Sequence, residues 1–479
     1  MYWLALYFPA LPLEIHSRAL PDAGPLAVVV RERGRRILLC DEAAAAQGVA
    51  PGQGVATALA LAADLRLLPH RLSSVKAALE RLALWGSRFS SYVSLVPPAG
   101  LLMEAGGSLT LFGGAEGLVQ QVRHGLKGLG YRSHWCLAAT PESAMVLARL
   151  GADRILADPG VARAALGRVP LAALALEPRV RETLEAMGVA TLGALMRLPR
   201  AGLARRFGPG LTLYLARLVG ELPDPRPAHV PLPCFRGRLE LPAEVDQAPA
   251  LLFAARRLVE ELCGFLQGRG LGVQRLDWTL VHARRQFSHV ALGLARPSRG
   301  AEHLIDLLRE RLEPLELPAP VREIRLQARN PEPFHPPSRR LFPGLGRPSL
   351  EVGTQLLERL RARLGPTAVQ GLDLVADHRP ERAWCYREPG GQTEGQGQAD
   401  RPLWLLLEPR LLEHREGWPW LEGQRLQLGV ERERVESGWW DGSEVARDYF
   451  TARTPQGARL WVFRELKGAR RWFLHGWFL

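Results

Sequence analysis

The chain has 479 residues, 47% hydrophobic and 23% charged, and its 62 Lys+Arg against 49 Asp+Glu give a formal net charge of +13. That length and hydrophobic content support about three or four domains with a sizeable core, and the basic excess favours a polyanionic partner, most often nucleic acid. The five cysteines are scattered with no CxxC pair, which leaves neither a zinc site nor a disulfide framework. No apolar run is long enough to cross a bilayer, so a reduced, cytoplasmic and nucleoid-associated setting fits best.

Residues 2–8 form an apolar-aromatic run closed by Pro9. No basic segment precedes it, so it reads as a central strand and not as a signal peptide. Leu26–Val30 and Arg36–Cys40 read as strands around an Arg-rich hairpin turn. Residues 41–47 open on Asp41 and Glu42, continue through four alanines and close at Gly48, the pattern of a short helix. Residues 73–89 carry Val75, Leu79, Leu82 and Leu84 on one helical face. Then come a strand at 101–105, a helix at 114–128, a strand at 131–138 and a helix at 141–150. Alternating strands and helices predict an α/β core over 1–153.

Residues 154–220 turn helical, with Thr191 placed to cap a helix. Short helices joined by Gly-containing turns, ending in Arg205-Arg206-Phe207-Gly208, resemble helix-hairpin-helix modules, whose N-terminal N–H groups meet phosphate. Residues 221–233 are a Pro-rich linker. Residues 234–330 read β-α-β-β-α-β. Apolar Phe235, Leu239, Leu276, Trp278, Leu280, Ile324 and Leu326 alternate with Arg236, Arg238, Arg275, Arg325 and Arg329, and Arg284 with Arg285 fills a turn. One sheet face should therefore rest on helices. The arginine face either contacts nucleic-acid phosphates or is simply solvated. Residues 331–402 are a Pro/Gly-rich linker with an amphipathic helix at 350–364, its apolar side Leu356, Leu357, Leu360 and Leu364. Residues 403–479, rich in tryptophan and alternating patterns, predict a small β-rich module.

This order of parts resembles a Y-family translesion DNA polymerase: palm and fingers, helical thumb, and βαββαβ little finger. Val49-Ala50-Pro51-Gly52-Gln53 is similar to the family's fingers turn, and Val146-Leu147-Ala148-Arg149 to a palm segment. Leu195-Met196-Arg197-Leu198 through Gly208 is similar to a thumb segment. The likeness covers about residues 2–345. It implies a two-metal site made by an Asp on the first strand and an Asp-Glu pair before a later palm strand. Here those positions fall on Ala5, Ala99 and Gly100, and the triphosphate-binding Tyr and Arg of the fingers fall on Glu42 and Ala45. Glu14, Asp41, Glu42 and Glu104 are the acids left nearby. Two readings follow: a palm without metal or cofactor, in which Glu104 is structural, or an active translesion polymerase with displaced ligands.

A polymerase-shaped chain lacking those carboxylates and extended at its C-terminus resembles the ImuB proteins of bacterial mutagenesis cassettes. Residues 102–114, 376–384, 438–442, 447–450 and 472–478 carry that likeness, among them Asp377-His378-Arg379-Pro380-Glu381-Arg382 and Gly438-Trp439-Trp440-Asp441-Gly442. It implies a non-catalytic adaptor in SOS-induced translesion synthesis. Such an adaptor binds DNA and the sliding clamp and recruits an error-prone DnaE-type polymerase and an ImuA-like, RecA-related protein. Arg340, Leu341 and Phe342 are the clamp-binding candidates, an apolar pair lacking the usual Gln, which reads equally as docking on its own domain. Trp439, Trp440, Trp472, Phe473, Trp477 and Phe478 are either partner-binding hot spots or the core of the last module. A duplex-binding protein unconnected with mutagenesis is the third reading.

Overall fold

The computed structural model describes residues 2–19, 24–31, 34–230, 233–283, 286–335, 350–365, 367–387, 389 and 401–478. The fold is mixed α/β and multidomain, and it divides into two compact units, Met1–Arg363 and Leu364–Leu479.

The first unit opens with β1 (Trp3–Tyr7), α1 (Leu11–Ser17), β2 (Leu26–Val30), β3 (Arg36–Cys40), α2 (Glu42–Ala46), α3 (Val55–Leu61), β4 (Arg66–Pro69) and α4 (Leu72–Gly86). It continues with β5 (Val93–Val96), β6 (Gly100–Glu104), α5 (Gly114–Leu129), β7 (His134–Ala138), α6 (Pro141–Arg149) and β8 (Arg154–Ile155). These build a five-stranded sheet, order β5-β6-β1-β7-β8, and a three-stranded sheet, order β3-β2-β4. β1 lies at the centre and pairs antiparallel with both β6 and β7. Its side chains alternate between two cores, as the strand period of two requires. Leu4 and Leu6 join α4 and α5, whereas Trp3 and Ala5 join α6 and the helices that follow.

Those helices are α7 (Pro159–Gly167), α8 (Pro178–Ala186), α9 (Leu192–Met196), α10 (Arg200–Phe207) and α11 (Pro209–Leu218). The Thr191 hydroxyl accepts from the Ala194 N–H and caps α9. Gly208, at φ +80°, ends α10 and begins α11, a backbone turn that glycine makes without strain.

A second sheet follows from β9 (Phe235–Val245), α12 (Leu251–Arg269), β10 (Leu271–His282), β11 (Phe287–Ser298), α13 (Ala301–Leu312) and β12 (Val321–Ala328), with strand order β11-β10-β12-β9. Its apolar face packs on α12 and α13, and β13 (Glu332–Pro333) pairs with β10. Helix α12 also packs on α4 and α5. The approach is close because glycines flank Trp85: a Cβ at Gly264 of α12 or Gly125 of α5 would lie 2.4 or 2.5 Å from the indole. Beside this contact the buried Glu261 carboxylate lies 2.6 Å from Arg18 and 3.0 Å from Arg81.

Helix α14 (Leu350–Leu364) departs from simple amphipathic packing. Leu356, Leu357, Leu360 and Leu364 are exposed. The helix is held instead through buried Glu358, which accepts from the Ala295 N–H at 2.6 Å and pairs with His303 at 2.5 Å.

The second unit contains the hairpin β14 (Gly371–Leu374) and β15 (Trp384–Arg387), followed by β16 (Trp404–Leu411), β17 (Glu413–Arg415), β18 (Trp418–Leu421), β19 (Gln424–Arg425), β20 (Gln427–Ser437), β21 (Val445–Arg453), β22 (Arg459–Glu465) and β23 (Trp472–Trp477). Its main sheet runs β16-β23-β22-β21-β20. Among the described residues, no helix is long and apolar enough to cross a membrane.

Candidate nucleic-acid interface

The strand end at Gly100 is closed and apolar. Gly100 pairs with Tyr7, and the Phe8 N–H donates to the Ala99 carbonyl at 2.8 Å. A Cβ on Gly100 would lie 2.8 Å from the Val96 carbonyl oxygen and 3.0 Å from Met145 Cε. Ala5 shares that sheet face but sits elsewhere along the strand: it pairs with Leu102 and Cys136, two residues inboard of Tyr7, and is fully buried. The structure therefore brings Ala99 and Gly100 beside Tyr7 and Phe8, and Ala5 falls roughly 7 Å away by strand rise.

Each acid near this sheet has a local partner. The Arg132 guanidinium donates to Glu14 at 3.3 Å and to Glu42 at 2.7 Å. Burial pushes the Glu14 carboxyl up from its ordinary range, against the pull of Arg132. Asp41 accepts from the N–H groups of Ala44 and Leu26 and so caps α2. Glu104 accepts from the Gly106 N–H at 2.9 Å and braces the turn after β6. Among the described residues, no group of three or more His, Cys, Asp or Glu is arranged to hold a metal ion.

On the second sheet, Arg236, Arg238, Arg275, Arg325 and Arg329 all lie exposed on the face opposite α12 and α13. Carboxylates interleave with them. Arg238 and Arg325 are directly opposed across β9 and β12, an arrangement of like charges that costs stability unless relieved. Buried Glu323 relieves it, lying 2.6 Å from Arg238 and 2.5 Å from Arg325. Arg275 pairs with Asp277 at 3.1 Å and Arg329 with the same carboxylate at 4.0 Å. Arg236 has no ion pair among the described residues. Arg205 and Arg206 are exposed in the last turn of α10, just before Gly208. Arg284 and Arg285 lie outside the described residues, as do Arg340, Leu341 and Phe342.

The charge divides unevenly. Residues 1–363 hold 46 basic and 32 acidic side chains, a net of +14, whereas residues 364–479 hold 16 and 17, a net of −1. The whole basic excess belongs to the first unit.

In the second unit, Trp439 and Trp440 are 72% and 60% exposed on the turn between β20 and β21, their rings edge to face at 4.6 Å. That turn is anchored by buried Arg379, which donates to Asp377 at 2.7 Å and to Asp441 at 2.8 Å. These bonds, with one from the Ser443 N–H, lower the Asp441 carboxyl to about 2. Gly438, at φ +85°, has no room for a side chain, since a Cβ would meet Arg379 Nη1 at 2.5 Å. Residues 376–384 and 438–442, distant in sequence, thus meet in one latch. Trp472 is buried, and Phe473, Trp477 and Phe478 are half-buried within the packing of the main sheet, Phe473 stacked on Phe463 at 5.1 Å.

Sequence spacing did not reveal Glu323, Arg379 or the Gly125–Trp85–Gly264 wedge. The signal for the wedge is slight, a glycine inside an otherwise strong helical pattern.

No family model matches the chain. Among solved structures it is similar to a Y-family DNA polymerase chimera (16% identity, 69% of this chain and 99% of that chain, TM-score 0.40) and to DinB from Sulfolobus solfataricus (15% identity, the same coverage, TM-score 0.39). Protein ImuB of Caulobacter vibrioides, from two strains, is 28% identical over 456 residues, spanning 90% of this chain and 100% of that protein. On that likeness over 90% of its length, the chain is a homologue of ImuB.

Proposed function

We propose that this chain is a non-catalytic, DNA-binding adaptor of damage-induced translesion synthesis. Its polymerase-shaped first unit meets DNA and the sliding clamp. Its second unit recruits an error-prone DnaE-type polymerase and an ImuA-like, RecA-related protein. The observation that carries the non-catalytic part is the packing at Gly100, where Val96 and Met145 occupy the space a carboxylate side chain would need. The remaining acids are engaged by Arg132, by a helix cap and by a turn. The DNA-binding part is supported by the net charge of +14 on residues 1–363 and by exposed Arg236, which has no ion pair among the described residues. The recruiting part is supported by the likeness to ImuB and by the exposed Trp439–Trp440 pair on its braced turn.

Fluorescence anisotropy of a labelled primer–template, titrated with salt, tests the DNA reading. Binding should weaken steeply with salt, by a log–log slope of about −0.9 per phosphate contacted. Arg236→Ala should reduce that slope by about one unit, and salt-independent or absent binding contradicts the reading. For the clamp, the Leu341→Ala, Phe342→Ala double variant should lose at least tenfold in affinity, and unchanged affinity moves the contact elsewhere.

A further inference from the structure

A cleft of 170 Å³ opens at the seam between the first sheet's helices and the second sheet. His16, Ser73, Ser74, Arg81, Arg238 and Glu240 line it. Three features of different origin converge there. First, it lies at the N-terminus of α4, a 15-residue helix whose N-cap, Arg71, makes no side-chain cap. The Leu72 and Ser73 N–H groups have no acceptor among the described residues, and the Ser73 and Ser74 hydroxyls stand beside them at the positive end of the helix dipole. Second, His16 is a buried side chain, only 4% exposed, that borders the cleft without a hydrogen bond among the described residues; its nearest carboxylate oxygen, on Glu240, is 3.9 Å away. Burial lowers its pKa, so near neutral pH the ring offers one N–H donor.

Third, the cleft already holds one anion. The Glu240 carboxylate lies 2.9 Å from Arg71 and 2.6 Å from Arg238, with His16 on its far side. These groups gather round an acidic oxygen, and the room left over adjoins the donors of α4. β9, which carries Arg238 and Glu240, is an edge strand of its sheet, so the approach along it is open.

We propose that this cleft binds a phosphate group, supplied by the backbone of a nucleic-acid strand passing between the N-terminus of α4 and the edge of β9. The Ser73 and Ser74 hydroxyls, the Leu72 and Ser73 N–H groups and the His16 ring donate to it, and Arg71 and Arg238, the latter also paired with Glu323, share their charge between it and Glu240. The proposal rests on the DNA-binding reading for the source of the phosphate, not for the chemistry of the cleft. Glu240 is then a competitor, which gives the proposal an unusual sign: removing its charge strengthens binding.

The test uses the full chain, with two variants and two probes. Ser74→Asp places a negative charge beside the α4 N-terminus at a partly exposed position, and Glu240→Gln removes one. Thermal melts confirm that both fold. Anisotropy with a primer–template carrying a single-stranded overhang should show about tenfold weaker binding for Ser74→Asp, with a salt slope smaller by about 0.7 to 0.9, the value of one phosphate contact. Glu240→Gln should bind about threefold more tightly. In the second arm, phosphorus NMR of inorganic phosphate titrated with protein should show line broadening that Ser74→Asp abolishes. Unchanged DNA binding in both variants, with phosphate broadening kept in the wild type and lost in Ser74→Asp, overturns the nucleic-acid source and assigns the cleft to free phosphate. No Ser74-dependent effect with either probe overturns the proposal. If wild-type protein binds no DNA at all, the adaptor reading fails, and the phosphate arm still decides the cleft.

Discussion

His475 sits at the centre of the second unit, fully buried among Tyr449, Trp461 and Phe463. Arg447 donates to the Tyr449 hydroxyl at 3.0 Å, and that hydroxyl lies 2.8 Å from His475 Nδ1. That contact is the ring's one hydrogen bond, since Nε2 has no partner among the described residues. Burial, opposed by Glu381 and assisted by Arg447, lowers the ring's pKa from 6.5 to about 4. The unfolded chain therefore binds a proton before the folded one as pH falls. This contribution to stability is complete above about pH 6.5 and is lost progressively towards pH 4, by up to about 3 kcal/mol. Unfolding free energies from urea titrations at pH 7 and pH 4.5 should differ by about that amount in wild type and much less in His475→Gln; equal pH sensitivity in the two contradicts this account. At this scale the caps of Asp41 and Thr191 were legible, because a cap needs only a few neighbouring residues. The surroundings of His475 were not, because its contacts on β21 and β22 are remote in sequence.

At the scale of elements, the join between α4 and α12 concentrates what the sequence hides. Glu261 neutralises two guanidinium groups, on Arg18 and Arg81, that are themselves buried or nearly so. Glu261→Ala strands both charges and should destabilise the first unit by about 3–5 kcal/mol. Gly264→Ala drives a methyl into Trp85 and should cost about 1–3 kcal/mol by overpacking. Denaturant unfolding of each variant checks these values, and a loss below 1 kcal/mol in both means that the join is looser than described. The strands of the second sheet could be read directly, because Phe235 to Leu241 and Leu276 to Leu280 alternate with a period of two. Register could not: the family likeness puts Ala5 at the ligand position, whereas strand pairing sets Tyr7 beside Gly100. Helix α14 carries a similar lesson. Its leucine stripe is plain in the sequence, but the contact that holds it is Glu358 with His303 and Ala295, a polar attachment that no periodicity announces.

Over the whole molecule, the mixed α/β body and the β-rich C-terminal unit were legible from composition and alternation, and the division of charge explains how they differ. The first unit carries a net of +14 and the second −1, so the exposed Trp439–Trp440 pair is presented on a nearly neutral module. Aromatic side chains in that setting suit a protein surface more than a phosphate backbone. The two motif stretches that carried the likeness to ImuB take on a physical meaning here: Asp377, Arg379 and Asp441 form the latch that holds the tryptophans out. What the sequence could not reveal is that Val96 and Met145 close over Gly100, since that depends on how β5 and α6 meet the end of β6. The central proposal is that the first unit binds DNA without extending it. Primer extension with Mg²⁺ or Mn²⁺, at protein concentrations where anisotropy shows the primer–template bound, tests that claim most directly. The account predicts no nucleotide incorporation; incorporation by the wild-type chain that Glu104→Ala abolishes would contradict it.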